Sequence, residues 1–167
     1  GSWEKNGEWI LDPITHTYDN LVDTLLANGY VEDETLFQFC YDWRNSNQTT
    51  AGVLAQKIET IKTLCQCGYV DLIAHSMGGL LAEHYIESEG YNNDVDQLIL
   101  VAVPQAGAPK AYKAWEGGKI DFGNPTESAF LQTKFRIEAL RNGHSSIFDY
   151  IRNQPIVSIQ ELLPVYG

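Results

Sequence analysis

Cysteine, methionine and positive charge are scarce in this sequence, and it has no long apolar run. Only three cysteines, Cys40, Cys65 and Cys67, stand in 167 residues. An odd number without paired C-x-x-C units or interleaved histidines excludes a zinc finger or ribbon. A single glutamine separates Cys65 from Cys67, too tight for that ligand pattern, and no disulfide framework is expected. Cys40 lies in an apolar stretch and is expected to be a small core residue. Eleven Lys and Arg oppose 22 Asp and Glu, for a net charge of −11. Such a surface repels phosphate backbones, so nucleic acid is not an expected partner, and anionic membranes are disfavoured unless a local patch differs. No apolar stretch is long enough to span a bilayer. The start, GSWEKNGEWILDP, lacks a basic segment followed by an apolar one, so no signal peptide is expected in it.

What is present suits one compact domain. The chain is 44% hydrophobic, enough for a real core at this length. Its organisation follows from periodicity. In TYDNLVDTLLANGY, Thr17 is the expected N-cap, Leu21, Val22, Leu25 and Leu26 form one apolar face, and Gly29 is the stop. TLFQFCYDW is expected to be a strand. TTAGVLAQKIETIKTLC repeats Leu54, Ile58, Ile61 and Cys65 at helical spacing and ends at Gly68. YVDLIAH is the next expected strand, GGLLAEHYIESEG the next helix, closed by Gly90, and DQLILVAVP a third strand stopped by Pro104. Three apolar strands separated by two amphipathic helices predict an α/β fold whose parallel sheet is buried on both faces and flanked by helices.

After Pro104 the pattern changes. QAGAPKAYKAWEGGKIDFGNPTES has no clear period. A helix is expected over ESAFLQTKFRIEALRNG, with Phe130, Leu131, Phe135, Ile137 and Leu140 inward, followed by short helical pieces. Residues 1–104 are therefore expected to form the sheet-containing core, and residues 105–167 a cap-like or lid-like insertion within the same domain.

The chemistry centres on DLIAHSMGGLLAEHY. The nucleophile elbow of α/β hydrolases is G-x-S-x-G on a sharp strand-to-helix turn that forces the serine into a strained conformation. Ala74 and Gly78 hold the small-residue places on either side of Ser76, and the flanking pattern is strand before and helix after. Ser76 is the expected nucleophile; the plainer alternative is a serine that N-caps a helix. Unpaired N–H groups of the first helical turn point toward the substrate side. The backbone N–H of Met77 is accordingly an expected oxyanion donor. The second donor belongs to a loop at or before Gly1.

A serine hydroxyl needs a histidine, and the histidine a carboxylate. His84 lies eight residues farther along the same helix, roughly 12 Å away at about 1.5 Å per residue, out of reach. The His75 side chain leaves the strand on the opposite side from its neighbour Ser76. His16 would reverse the usual chain order. His144 follows the elbow and could draw on Asp94, Asp96 or Asp121, but no further strand is expected to carry acid and base into place. The expectation is a chain truncated at both ends, with the partners of Ser76 beyond Gly167. A non-catalytic lipid- or protein-binding module on the same fold is the competing reading, and a minimal hydrolase using His144 a third.

Several stretches resemble the lecithin:cholesterol acyltransferase family of lipases and acyltransferases. LDPITHTYDNLVDTLLANGYVEDETLFQFCYDWRNS, with YDWR at 41–44, resembles the region before that family's elbow. VDLIAHSMGGLLAEHYIE resembles the elbow itself, with Ala74 where glycine is commoner. LILVAVPQAGAPKAYKAWEGG and SIQELLP resemble segments that lead into and close part of its lid. The resemblance implies a partial α/β-hydrolase fold and acyl-ester chemistry on lipids, in which a covalent acyl-enzyme passes its acyl group to water or an alcohol. Only Ser76 and the Met77 N–H carry over; the family's acid and histidine have no counterpart here. In YDWR, Asp42 and Arg44 would pair, or Trp43 would shape the acyl pocket. No metal or organic cofactor is implied. The expected partners are a lipid or other ester and a transient lipid surface met by the cap region. An extracytoplasmic location follows from the resemblance alone.

Overall fold

The computed structural model describes residues 2–5, 8–11, 16–121, 125–153 and 156–165, with the side chains at 2–5, 8, 9, 11 and 127 outside that description. They fall into two compact units, one made of Gly1–Trp43 and Asn47–Val103, the other of Arg44–Ser46 and Pro104–Gly167.

The first unit opens with a hairpin. Strands β1 (Ser2–Lys5) and β2 (Glu8–Leu11) pair antiparallel, with Lys5 opposite Glu8 and Ser2 opposite Leu11. No strand is expected here from periodicity, yet Asn6-Gly7 between two short runs is a strong hairpin signal in its own right. Helix α1 (Asp19–Ala27) starts after Tyr18, not Thr17, and has no side-chain cap bond. It ends in a Schellman motif: Tyr30 N–H donates to the Leu25 carbonyl at 3.2 Å and Gly29 N–H to Leu26 at 3.1 Å. None of its residues is fully buried, and Leu21 and Leu26 are exposed.

The stretch TLFQFCYDW does not form the expected strand. Among the described residues its only bridge is an isolated one between Glu32 and Leu36. Its alternation still brings Phe39 and Tyr41 onto the core, with ring centroids 5.4 Å apart. A period of two satisfies packing by itself, whereas a strand also needs a neighbour offering N–H and C=O groups in register.

Helix α2 (Asn47–Cys65), strand β3 (Val70–His75), helix α3 (Met77–Glu87) and strand β4 (Val95–Val101) complete the unit. β3 and β4 run parallel, Leu72 opposite Leu98 and His75 opposite Val101, so α3 is the crossover. The class is α/β, with two parallel strands among the described residues where three are expected. α2 and α3 pack Ala51, Leu54, Ile58, Leu81 and Tyr85 against Val70, Leu72 and Val95. Full burial of a Leu or Ile stabilises by ~1.5–3 kcal/mol. The expected burial on both faces is not met, because Ile73, Ile99 and Val101 are exposed.

At the start of β4 the buried Asp94 carboxylate accepts the Tyr85 hydroxyl at 2.7 Å and Lys62 Nζ at 3.2 Å. Burial of Tyr85, with Asp94 beside it, raises the phenol well above its ordinary range. A bond to Glu59, together with Asp94, raises Lys62. One buried charge is thereby satisfied from two helices.

Cys65 and Cys67 form a disulfide, contrary to expectation. Gln66 at φ 55° turns the chain so that their Cα atoms lie 5.3 Å apart, within disulfide range. Cys40 is half-buried and outside any disulfide.

The second unit is helical among its described residues: α4 (Pro109–Gly117), α5 (Pro125–Arg141), α6 (Ile147–Asn153) and α7 (Val157–Glu161). α4 forms where no period is expected; Pro109 opens it, and small residues Ala111 and Ala114 face the core. α5 buries Leu131, Phe135 and Ala139, four residues apart, against a core that includes Ile147 and Ile151 of α6. Phe130, Ile137 and Leu140, expected inward, are exposed. One side of a helix cannot hold both sets. Ala108 N–H donates to Leu162 at 2.8 Å and Val165 N–H to Ala106 at 3.1 Å, tying the GAPK segment to the LLPV segment. Gly107, at φ 83°, sits between them; a Cβ there would stand 2.5 Å from the Leu163 carbonyl. No described helix is long and apolar enough to cross a membrane.

Candidate active site

Ser76 is the hinge between β3 and α3. The strand ends at His75 and the helix begins at Met77, so one residue must reverse the chain. Ser76 does so at φ 55° and ψ −131°, a conformation that costs a non-glycine residue roughly 1–3 kcal/mol. Its N–H donates to the Val101 carbonyl on β4 at 2.9 Å, and its carbonyl accepts Gly79 N–H at 2.9 Å. Ser76 makes no side-chain cap bond, and its backbone is far from the extended conformation of an ordinary N-cap. The hydroxyl stands at the C-terminal end of a parallel strand and the N-terminal end of a helix. The Met77 N–H, first of α3, has no acceptor in a preceding turn, and the helix dipole favours negative charge there.

The glycine that the turn requires is not the one the motif names. A Cβ on Gly78 would meet only the Tyr41 hydroxyl, at 3.8 Å. A Cβ on Gly79 would overlap Val103, at 2.1 Å from Cγ2 and 2.9 Å from Cγ1. The pair Met-Gly-Gly is the sequence signal, and only the packed chain after β4 tells the two glycines apart.

Two residues outside the expected site border it. Tyr18 Oη lies 2.9 Å from His75 Nδ1, and the two rings meet edge-on at 5.7 Å. His75 is thus engaged with α1's start, beside the elbow. Tyr41, first residue of YDWR, carries the hydroxyl nearest Gly78, and burial, with Tyr18 adding to it, pushes its phenol up to about 12. It is a neutral hydrogen-bonding group at any physiological pH.

The remaining candidates are placed as follows. His16 pairs with Asp19 at 3.0 Å in an exposed i, i+3 contact. His84 is exposed on α3. Asp94 precedes the first residue of β4, whose seven residues separate it from the elbow end by ~23 Å at about 3.3 Å per residue. With both oxygens engaged, it is a structural charge. Asp96, on the same end of β4, is exposed. Within the second unit His144 Nδ1 lies 3.3 Å from Asp149 and Asp121 pairs with Lys113 at 3.2 Å. The Ser145 N–H, helped by His144 and Asn153, holds the Asp149 carboxyl below its ordinary range. Asp42, Trp43 and Arg44 are half-buried. Among the described residues no three His, Cys, Asp or Glu side chains gather in a way that could hold a metal ion.

The family model described as Lecithin:cholesterol acyltransferase matches residues 8–158. The chain is 30% identical over 151 residues to a lecithin-cholesterol acyltransferase-like protein of Arabidopsis thaliana, covering 84% of this chain and 28% of that protein. It is 29% identical over 147 residues to a phospholipase A(1) of the same plant, covering 86% and 33%. With a lysosomal phospholipase A and acyltransferase of Canis lupus familiaris the identity is 24% over 118 residues, covering 65% and 29%. The chain thus spans about a third or less of the curated relatives' length. No solved structure matches it. With the family model running from β2 to the start of α7, the chain belongs to the lecithin:cholesterol acyltransferase family.

Proposed function

We propose that this chain carries the nucleophile half of a serine-dependent lipid acyl-ester hydrolase or acyltransferase built on a partial α/β-hydrolase fold. The observation that carries the reading is Ser76 at φ 55° between a parallel strand and a helix, with no cap bond to account for it. In this reading Ser76 Oγ attacks the ester carbonyl, and the Met77 N–H donates to the oxygen that becomes negative. Loss of one such donor costs on the order of 3 kcal/mol of barrier. Collapse of the adduct breaks the ester C–O bond and expels the substrate's alcohol, which takes the proton lost by Ser76 through the base. The acyl group then passes from Ser76 to water or to an acceptor alcohol. The relatives' names, phospholipase and acyltransferase, support the ester of a lipid as substrate.

The histidine and carboxylate are proposed to lie outside residues 1–167. His16, His75 and His144 are engaged with Asp19, Tyr18 and Asp149, and His84 lies eight residues beyond Ser76 along α3. An extracytoplasmic location is part of the same reading, supported by the lysosomal relative and by the Cys65–Cys67 disulfide.

A fluorophosphonate probe tests both halves of the proposal. In a longer polypeptide containing residues 1–167, the probe should label Ser76 briskly, and Ser76→Ala should abolish labelling and ester turnover. Labelling and turnover unaffected by Ser76→Ala would remove Ser76 as nucleophile. Residues 1–167 alone should turn over p-nitrophenyl esters poorly or not at all; rapid turnover lost in Ser76→Ala would place the base within this chain.

A further inference from the structure

The Cys65–Cys67 disulfide does little as a cross-link. A disulfide stabilises a fold chiefly by removing freedom from the unfolded chain, and that effect shrinks with the loop it closes. Only Gln66 stands between these two cysteines, so the bond ties residues that are neighbours in any conformation. It also joins no two elements: Cys65 is the last residue of α2, and Cys67 lies in the link to β3. The Cys67 N–H already donates to the Lys62 carbonyl at 3.2 Å. α2 itself is anchored elsewhere, by Leu54 and Ile58 in the core and by Lys62 on Asp94. The surroundings, by contrast, suit reaction. Every one of residues 63–69 is exposed, both cysteines included, with Leu64 at 65% and Tyr69 at 60%. In a chain of net charge −11, residues 63–70 carry no charge at all. The charges that bracket them are Lys62, paired with Glu59 at 2.7 Å, and Asp71 on β3. No carboxylate within the segment repels an incoming thiolate. Gln66 is held at φ 55°, a left-handed conformation that a residue with a side chain seldom keeps.

We propose that Cys65–Cys67 is a thiol–disulfide exchange site, opened by a low-molecular-weight thiol and closed again by the disulfide of that thiol. In the first step a thiolate attacks one of the two sulfurs. The Cys65–Cys67 bond breaks, a mixed disulfide forms, and the other cysteine leaves as a thiolate. A second thiolate then attacks the small thiol's sulfur in the mixed disulfide. That releases the remaining cysteine and a disulfide of the two small molecules. Two electrons pass from the two thiols to the protein, and the two protons they lost end on Cys65 and Cys67. Exposed disulfides are the labile class, because either sulfur can be reached in line without unfolding. Opening is local: it releases Gln66 from its left-handed conformation while the core residues and Lys62 keep α2 in place. Closing is equally easy, since the two sulfurs are never more than one residue apart in the chain. Ser76 takes no part, so the outcome is independent of the nucleophile reading.

The test incubates the folded, oxidised chain with reduced glutathione, beside the same chain in urea, traps thiols by alkylation and maps them by mass spectrometry. Cys65 and Cys67 should open in the folded chain at a rate within about tenfold of the unfolded one. The circular dichroism spectrum should persist, and the melting temperature should fall by less than about 2 °C on opening. Greater protection, or a larger fall in melting temperature, would make the bond a structural one and overturn the proposal. Oxidised glutathione should close the ring again, and failure to close counts against the proposal equally. Cys65→Ser with Cys67→Ser should fold as wild type and no longer exchange, whereas Cys40→Ser should exchange as wild type. Loss of exchange in Cys40→Ser, or three free thiols in the chain before any reductant is added, also overturns it.

Discussion

Two adjacent glycines behind Ser76 should respond to alanine with opposite signs. At Gly79 the new methyl would stand 2.1 Å from Val103 Cγ2, 2.9 Å from Cγ1 and 3.1 Å from Cβ. Carbon atoms prefer ~3.5–4.0 Å, and valine's two methyls cannot both rotate away from a point that close to both. Overpacking of this kind costs about 1–3 kcal/mol, and removing a helical glycine returns up to about 1 kcal/mol. The net expectation for Gly79→Ala is a loss of ~1–2 kcal/mol. At Gly78 the nearest atom to the added methyl is 3.8 Å away, so only the favourable term remains and stability should rise by up to about 1 kcal/mol. The assay is urea unfolding followed by circular dichroism, with Val103→Ala added as a rescue. In the double-mutant cycle, Gly79→Ala should cost less in the Val103→Ala background, with a coupling of about 1 kcal/mol. If Gly79→Ala is neutral and uncoupled from Val103, or if Gly78→Ala is the damaging change, the account of the turn is wrong.

Other consequences are as direct. Tyr41, with its phenol raised to about 12, favours the folded state fully below the ordinary tyrosine value near 10, and that contribution fades as pH climbs from about 10 to 12. Tyr41→Phe should therefore flatten the fall of the urea midpoint between pH 10 and 12; an equally steep fall would show that Tyr41 does not titrate late. Asp94→Ala strands the Tyr85 hydroxyl and removes one of two carboxylates from Lys62, and should cost about 2–3 kcal/mol, with Tyr85→Phe costing about 1 kcal/mol. Equal and small losses for the two would argue against a buried charge network. Thiol titration of the denatured, unreduced chain should find one reactive thiol, Cys40, and three after reduction. Three without reduction would rule out the Cys65–Cys67 bond.

How far the sequence carries can be judged element by element. α2 and α3 were legible because Leu54, Ile58, Leu81 and Tyr85 recur at helical spacing and are buried as that spacing requires. β3 was legible as a short apolar run between Gly68 and the elbow, although its exposure alternates instead of both faces being buried as expected. The stretch 35–43 shows the limit of periodicity: Phe39 and Tyr41 pack as strand residues should, but pairing depends on a neighbour that no local pattern encodes. α5 shows another limit. Apolar residues on both sides of a helix cannot all be inward, and which side is buried was settled by packing against α6. The hairpin at the start was available in Asn6-Gly7, a turn signal that outweighs the weak alternation around it.

At the candidate site the division has the same origin. Local chemistry in the sequence determined the strand–serine–helix order, the position of Ser76 at a helix N-terminus, and the exclusion of His84 by helical rise alone. These depend on backbone geometry within a dozen residues, which composition and spacing specify. Tertiary structure alone decided that Gly79 rather than Gly78 is the glycine the turn cannot lose, because Val103, just past the elbow end of β4, packs against it. It also paired His75 with Tyr18, set the Tyr41 hydroxyl beside α3, and committed Asp94 to Lys62. Each of these joins residues distant in the chain, and a contact between distant residues exists only once the elements between them have packed.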